Sequence, residues 1–196
     1  MALGDSYTVG RTVPTESSFP YQLVQRLRDK KIPVSAPVVI AQNGWRTDEL
    51  IKGIIKSGNK KTFDIVTLLI GVNNQFQNIN IDIYRTEFVQ LLNTAIAFAR
   101  GNSKHVFVLS IPDWGVTPFA FTRNPDKIAL QIDNYNEINK QETEAAGAVY
   151  VDITTLSRLA ADDRSLVSTD NLHPSAKMYE LWVKKISREI IRQIKK

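Results

Sequence analysis

The stretch DIVTLLIGVNN, residues 64–74, is an almost unbroken apolar run that stops at a glycine and two asparagines. Near-continuous apolar runs are typical of parallel strands that are covered on both faces, whereas half-exposed strands alternate apolar and polar residues. The stretch therefore predicts a fully buried strand that ends in a polar loop.

The same pattern recurs on both sides of this stretch. Apolar runs followed by polar loops lie at residues 38–41, 105–111 and 148–153, and a shorter one lies at residues 1–3. Between them, apolar residues at helical spacing predict helices over about 18–31, 84–99, 126–146 and from 175 onward, and a short helix with Thr47 as its N-cap. This alternation predicts one α/β domain over residues 1–196, a doubly wound sandwich of about five parallel strands.

The composition excludes several kinds of site. The chain has no Cys, which excludes disulfides, thiolate metal sites and cysteine nucleophiles. It has only two histidines, His105 and His173, so a histidine-rich metal site is excluded too. No apolar run approaches the roughly 20 residues that span a bilayer. We therefore expect a protein that works without a metal ion or a cofactor.

The charge of the chain invites a nucleic-acid interpretation, because 25 Lys and Arg against 20 Asp and Glu give +5. The basic residues are scattered, however, and no zinc-finger, RRM, KH or helix-turn-helix signature accompanies them. We predict an ordinary solvated surface and no nucleic-acid partner. Attraction to an anionic membrane surface stays open as an alternative.

Polar residues of an unusual kind follow the predicted strands. The loops contain Gly4-Asp5-Ser6, Asn43-Gly44, Asn73-Asn74 and Asp113-Trp114, and Asp170 and His173 precede the last helix. Because parallel strands end at one edge of a sheet, ligands of such folds lie there, and we expect these residues to meet at that edge.

Ser6, His173 and Asp170 fit the parts of a catalytic triad. A serine hydroxyl is a poor nucleophile until a base takes its proton, and His173 is the candidate base. Asp170 stands three residues before His173, a spacing that can place its carboxylate on the imidazole Nδ1–H. His105 lies at the amino end of its strand, so we expect a structural role for it.

Acyl transfer also needs donors for a developing oxyanion. The backbone N–H groups of Ser6 and Gly44 and the side-chain amide of Asn73 are the candidates. We expect the neighbouring loop residues to contact the substrate, and Phe119 is a further candidate for an acyl or aryl pocket; the loop residues are Asn43, Trp45, Asn74, Asp113 and Trp114.

Each motif also has a simpler interpretation when it is taken alone. Gly-Asp-Ser and Asn-Gly are common turn sequences, and Asp170 with His173 fits an N-cap and a surface histidine. Asp5 is better interpreted as a turn or network residue than as a catalytic acid. The combination of the motifs, in this order and each after a predicted strand, favours a catalytic site.

The motifs resemble those of the SGNH hydrolases, also called GDSL esterases and lipases. Residues 3–8 (LGDSYT) match the first block of that family, Gly44 the second, Gly71-Val72-Asn73-Asn74 the third, and Asp170, His173 and Pro174 the fifth. Asn74 is a departure, since the family usually has Asp there. The short chain is most similar to the lysophospholipase and thioesterase-like branch.

The resemblance implies a flavodoxin-like three-layer sandwich, with helices on both faces of the sheet, and metal-free hydrolysis of esters or thioesters through an acyl-enzyme. Small acyl esters, lysophospholipids and acetylated sugars are all consistent with it. A non-catalytic carbohydrate- or lipid-binding module on the same fold is the alternative. A flavin- or nucleotide-binding protein is disfavoured, because no glycine-rich phosphate loop follows any strand.

The compartment depends on how the short first strand is interpreted. If an upstream signal segment was removed, we expect a secreted or periplasmic protein, and otherwise a cytoplasmic one.

Overall fold

The computed structural model describes residues 1–194 and contains a five-stranded parallel sheet. Its strands are β1 (Ala2–Gly4), β2 (Val39–Ala41), β3 (Val66–Leu69), β4 (Val106–Leu109) and β5 (Val149–Val151). The strand order across the sheet is β2-β1-β3-β4-β5, with every neighbouring pair parallel. This order confirms the predicted flavodoxin-like α/β sandwich.

Eight α-helices connect and flank the strands within the described residues. They are α1 (Ser6–Val9), α2 (Phe19–Asp29), α3 (Thr47–Ser57), α4 (Val72–Phe76), α5 (Ile81–Phe98), α6 (Pro125–Ala145), α7 (Thr154–Ser157) and α8 (Ala176–Ile194). Helix α2 packs against α8, whereas α5 packs against both α3 and α6, so the sheet lies between two helical layers. No helix in residues 1–194 has the length and apolar character that a bilayer crossing requires.

The centre of the sheet is the core of the protein. All residues of β1, β3 and β4 are buried, whereas the edge strand β2 is only partly covered. Large side chains from both helical layers fill the space on either side, among them Phe19, Tyr84, Phe88 and Trp182. A sheet covered on both faces explains why its strands carry continuous apolar runs.

The strand register aligns the three loops that carry candidate site residues. Gly4 at the end of β1 lies opposite Ala41 in β2 and Leu69 in β3. The next residues along each strand therefore leave the sheet at one edge, which is the edge where such folds bind ligands.

The helix after β2 begins differently from the prediction. Its N-cap is Arg46, and Thr47 is already the first helical residue. The Arg46 backbone N–H donates to Glu49 Oε2 at 2.9 Å, and this bond caps the first turn of the helix without a threonine. The Thr47 hydroxyl is used elsewhere, because it accepts a bond from Asn74 and donates to Glu87.

Candidate active site

Ser6 lies at the first position of α1, directly after β1. The Asp5 carboxylate caps this short helix by accepting the Tyr7 backbone N–H at 2.9 Å. Asp5 thus has the turn role that the sequence suggested. Since Ser6 is the first helical residue, its own N–H has no acceptor inside the helix. The sharp exit from the strand leaves the Ser6 hydroxyl at the sheet edge, although the residue is only 4% exposed.

Asp170 and His173 lie in a tight loop before α8. One oxygen of Asp170 accepts the backbone N–H groups of Leu172 and His173 at 3.0 and 2.9 Å, which folds the loop around the carboxylate. The Ser168 N–H closes the loop by donating to the His173 carbonyl at 2.7 Å. The imidazole is consequently held by its own loop before any contact with Ser6.

The fold joins these two segments into one hydrogen-bonded chain. His173 Nε2 lies 2.9 Å from Ser6 Oγ, although 167 positions separate the two residues. On the other side of the ring, His173 Nδ1 lies 2.6 Å from Asp170 Oδ2. A second bond links the segment after Ser6 to the loop before α8, because the Thr12 hydroxyl donates to Ser168 Oγ at 2.5 Å.

Burial and hydrogen bonding set the charges of this chain of groups. Burial lowers the pKa of His173 below its ordinary value of 6.5, although the bond to Asp170 acts in the opposite direction. Burial would raise the pKa of Asp170, but the hydrogen bonds from the backbone and ring of His173 outweigh it, so this pKa is lowered. At neutral pH the arrangement is a carboxylate, a neutral imidazole and a hydroxyl.

Burial has the opposite consequence for Asp5. The carboxyl is fully buried, and this raises its pKa to about 7 in spite of the bond from the Tyr7 N–H. One of its oxygens, Oδ2, has no hydrogen-bond partner within the described residues. Asp5 therefore titrates near neutrality next to Ser6 without contacting it through a hydrogen bond.

Gly44 lies in the turn after β2 and Asn73 in α4, which follows β3, and both border the same cavity as Ser6. The turn before α3 closes with a bond from the Trp45 N–H to the Gln42 carbonyl at 3.3 Å, and Gly44 has a φ of +82° within it. That backbone conformation favours glycine. The Asn73 amide donates to the Trp45 carbonyl at 3.0 Å, which links the start of α4 to the turn before α3.

A cavity of about 120 Å³ opens above the Ser6 and His173 side chains. Gly44 and Asn73 form part of its polar side. Its apolar side consists of Val72, Phe76, Trp114, Phe119 and Leu172. The hydroxyl, the imidazole and the two candidate oxyanion donors thus face one shared space. A hydroxyl, a base and neutral donors around a small cavity are the parts that acyl transfer requires.

The family model of the GDSL-like lipases and acylhydrolases matches residues 2–181. The chain belongs to the GDSL-like lipase/acylhydrolase family. It is therefore a GDSL-type esterase, and the resemblance of its sequence motifs to this family is confirmed. No curated protein matches the chain.

Solved structures of other proteins share the fold at low sequence identity. TesA has a TM-score of 0.77 at 12% identity, over 98% of this chain and 97% of TesA. Axe2, an acetylxylan esterase from Geobacillus stearothermophilus, has a TM-score of 0.73 at 16% identity, over 96% of this chain and 92% of Axe2. The esterase EstA from Pseudoalteromonas sp. has a TM-score of 0.71 at 14% identity, over 100% of this chain and 97% of EstA.

Within this GDSL-type site, only one of the five expected substrate-contacting residues lines the cavity. That residue is Trp114, whose indole N–H donates to Gln75 Oε1 at 2.8 Å. Asn43 is exposed in the turn before α3 and does not line it. The Trp45 ring packs on the backbone of α3 at Gly53, where an added Cβ would lie 2.2 Å from the ring.

Asp113 and Asn74 support the loops of the site and do not line the cavity. Asp113 is buried, accepts the Gly115 N–H at 2.9 Å and pairs with Arg158 at 2.9 Å. It borders a second cavity of about 20 Å³, the size of one water molecule, which lies behind Trp114 and His173 and shares these residues with the first. These bonds fix the turn that carries Trp114.

Asn74, at the position where the GDSL family usually has Asp, connects α4 to α3. Its side-chain oxygen accepts the Thr47 N–H at 3.1 Å, and its amide donates to the Thr47 hydroxyl at 2.6 Å. An aspartate could make the first of these bonds but, when ionised, not the second. The Thr47 hydroxyl donates onward to Glu87, so an acceptor and a donor at position 74 are both used.

Several residues that the sequence analysis did not single out also line the cavity. Tyr7 and Arg11 follow Ser6 in α1 and the turn after it, and Phe76 lies one helical turn after Asn73 in α4. The sequence after Asn74 is mostly polar and predicts a loop, so it gives no sign that Phe76 faces the site. A helix that starts at the third strand end would have placed positions 73 and 76 on one face.

Proposed function

We propose that the chain hydrolyses short-chain carboxylic esters through an acyl-enzyme on Ser6, with His173 and Asp170 as the other members of the triad. The observation that carries this proposal is the continuous chain of hydrogen bonds from Ser6 Oγ through both ring nitrogens of His173 to Asp170. Membership of an esterase family supports the class of reaction.

In the first half of the reaction, Ser6 Oγ attacks the acyl carbonyl carbon while His173 Nε2 takes the hydroxyl proton. Asp170 accepts a hydrogen bond from the other ring nitrogen, Nδ1–H, and stabilises the imidazolium that forms. The tetrahedral intermediate then expels the alcohol, which leaves with the proton from Nε2. The acyl group remains on Ser6 as an ester.

In the second half, water takes the place of the alcohol. His173 Nε2 removes a proton from this water, which attacks the acyl-Ser6 carbonyl carbon. The second tetrahedral intermediate breaks its bond to Ser6 Oγ, which recovers the proton from Nε2. The carboxylic acid leaves, and the hydroxyl, neutral imidazole and carboxylate are restored.

The negative charge of both intermediates is assigned to the backbone N–H groups of Ser6 and Gly44 and the side-chain amide of Asn73. Asn73 already donates one amide hydrogen to the Trp45 carbonyl, which orients the group and leaves its second hydrogen for the substrate. Donors that are fixed before the substrate arrives need no reorganisation as charge develops, which is why they stabilise the transition state.

The size of the cavity supports the choice of short acyl groups. At about 120 Å³ it is slightly smaller than the roughly 150 Å³ engineered cavity that holds one benzene molecule. Acetyl to butyryl groups, or one aromatic ring, fit such a space between Trp114 and Phe119. A long acyl chain would have to leave part of its length in water, and this part would contribute nothing to binding.

A series of p-nitrophenyl esters from acetyl to palmitoyl tests this choice. We expect kcat/KM to reach its highest value by butyryl and to rise no further up to the octanoyl ester, because the added methylenes find no apolar surface and gain no burial energy. Lysophospholipids, acyl-thioesters and acetylated xylo-oligosaccharides belong in the same panel. A maximum at octanoyl or beyond would contradict the proposed substrate class and leave the reaction class intact.

The pH dependence of kcat/KM should follow the neutral form of His173. Because burial lowers the pKa of His173, its base form persists to lower pH, and we expect kcat/KM to rise with pH and to reach half its maximum below pH 6.5, the ordinary pKa of a histidine. Stopped-time assays of p-nitrophenyl butyrate in buffers of constant ionic strength measure the curve.

Asp5 is the other group that titrates in this range, with a pKa of about 7. The Asp5→Asn variant is the control, since an amide oxygen can still accept the Tyr7 N–H. If the rise in activity lies near pH 7 and disappears in Asp5→Asn, the curve belongs to Asp5 and the assignment of the base to His173 loses its support.

A covalent probe tests the role proposed for Ser6. EstA, one of the structural relatives, was solved inhibited by monoethylphosphonate. A fluorophosphonate probe should label this chain at Ser6, because an activated serine displaces fluoride from phosphorus. A folded protein that takes up no probe at Ser6 would contradict Ser6 as the nucleophile.

A further inference from the structure

We propose that the cavity is selective for esters that carry an anionic group, held by Arg11 and Arg123. This inference rests on the proposed ester hydrolysis and names the class of substrate for the same site. It concerns a carboxylate or phosphate on either the acyl side or the alcohol side of the ester, since either side of an ester that reacts at Ser6 can extend to the rim of the cavity.

Arg11 is part of the cavity wall. It follows α1 by two residues, and its backbone N–H donates to the Ser6 carbonyl at 3.1 Å, which fixes the position of its backbone next to Ser6. Besides burial, which is the larger cause, the charge of Arg11 lowers the pKa of His173. Its guanidinium is therefore close enough to act electrostatically on the groups at the base of the cavity.

Arg123 does not line the cavity itself but stacks on the three rings that form its aromatic side. Its guanidinium carbon is 4.9 Å from the ring centre of Phe119, 5.2 Å from that of Phe76 and 5.6 Å from that of Trp114. A guanidinium over ring faces keeps its N–H groups in its own plane, where they can still donate to an anion. The three rings thus hold a cation next to the cavity without neutralising it.

Neither arginine is neutralised by a carboxylate. In residues 1–194 neither Arg11 nor Arg123 forms an ion pair. The acidic groups of the neighbouring loops are engaged, because Asp170 bonds His173 and Asp113 pairs with Arg158. An anionic group on the substrate would supply the missing counter-charge.

The aromatic side alone would suggest the opposite selectivity. Three rings around one point form the kind of cage that binds quaternary ammonium groups. Here, however, Arg123 already occupies the position of the cation, and Arg11 would repel a second one. The charges around the cavity therefore favour an anionic substrate over a cationic one.

Matched esters of different charge test the selectivity. On the alcohol side, para-acetoxybenzoate is compared with its neutral methyl ester and with the acetate of para-trimethylammoniophenol. On the acyl side, the phenyl monoester of glutaric acid is compared with the phenyl methyl diester. Each kcat/KM is divided by the hydroxide-catalysed rate constant of the same ester, which removes differences in chemical reactivity.

We expect the anionic ester of at least one pair to exceed its neutral partner about tenfold in this corrected kcat/KM, and the ratio to decline as salt screens the charges. The ratio should fall about threefold in Arg11→Gln and in Arg123→Gln and approach one in the double variant, and Arg11→Lys should retain most of it. Arg188→Gln, on the exposed side of α8, changes the net charge equally and should leave the ratio unchanged.

Two results would overturn the inference: equal or cation-favouring ratios in the wild-type protein, or a ratio that neither arginine variant lowers. Calorimetric binding of the same esters to Ser6→Ala separates this inference from the proposed function. Tighter binding of the anionic esters without any Ser6-dependent turnover would support the anion subsite and contradict hydrolysis through Ser6. Ser6-dependent turnover without charge selectivity would support the proposed hydrolysis and contradict the anion subsite.

Discussion

Replacing Ser6 with alanine is expected to lower kcat for p-nitrophenyl butyrate on the order of 10⁵- to 10⁶-fold, the scale of loss when one member of a catalytic unit is removed. The loss follows from removal of the hydroxyl, because Ser6 Oγ is the atom that lies 2.9 Å from His173 Nε2. The oxyanion donors would remain, since the backbone N–H of residue 6 is unchanged and Asn73 stays bound to Trp45. Residual turnover above the rate in buffer would come from these donors.

Ser187→Ala is the matched control for this substitution. Ser187 is a buried serine on α8 whose hydroxyl is also hydrogen-bonded, to Arg26 at 2.9 Å, but it does not line the cavity. We expect activity within about twofold of wild type for this variant, and uptake of the fluorophosphonate probe by it but not by Ser6→Ala.

A double variant makes the result for Ser6 sharper. If Ser6 and His173 act as one unit, Ser6→Ala combined with His173→Ala should be no slower than Ser6→Ala alone. Independent contributions would instead multiply. Activity of Ser6→Ala within tenfold of wild type, or losses that multiply in the double variant, would contradict the proposed mechanism.

The parts of the fold that the sequence predicted are those set by local patterns. The strands β3 and β4 lie inside apolar runs that only a covered sheet can accommodate, and each run stops where the strand ends. The spacing of Asp170 and His173 belongs to the same class, because one loop determines their contact. Both patterns depend on neighbouring residues alone.

The parts that escaped prediction depend on contacts between distant segments. A tryptophan after a strand is equally compatible with a cavity wall or with packing on a helix, and Trp45 packs on α3 because Gly53 leaves room for the ring. Arg123 lies over rings from two segments, residues 76 and 114–119, which nothing in its own stretch reveals. Such placements follow from tertiary packing, which sequence spacing does not encode.

Replacing Asp170 with asparagine is expected to lower kcat on the order of 10⁴-fold, the loss known for the corresponding change in a serine protease triad. Asparagine retains the oxygen that accepts the Leu172 and His173 N–H groups at 3.0 and 2.9 Å, so the loop should keep its shape. Its amide would face Nδ1 as a donor, however, and force the ring proton onto Nε2. The imidazole would then donate towards Ser6 and could no longer take its proton.

Asp163→Asn is the matched control, because Asp163 also accepts a nearby backbone N–H, from Ser165 at 3.0 Å, and pairs with Lys177 away from the cavity. The tautomer itself is measurable by ¹⁵N NMR of the imidazole, and His105→Gln leaves His173 as the one histidine of the chain. We expect Nδ1–H in the wild-type protein and Nε2–H in Asp170→Asn. A shifted tautomer with activity within tenfold of wild type would mean that His173 does not act as the base. An unshifted tautomer with the full loss would mean that Asp170 acts through its charge, by stabilising the imidazolium, and not through the orientation of the ring.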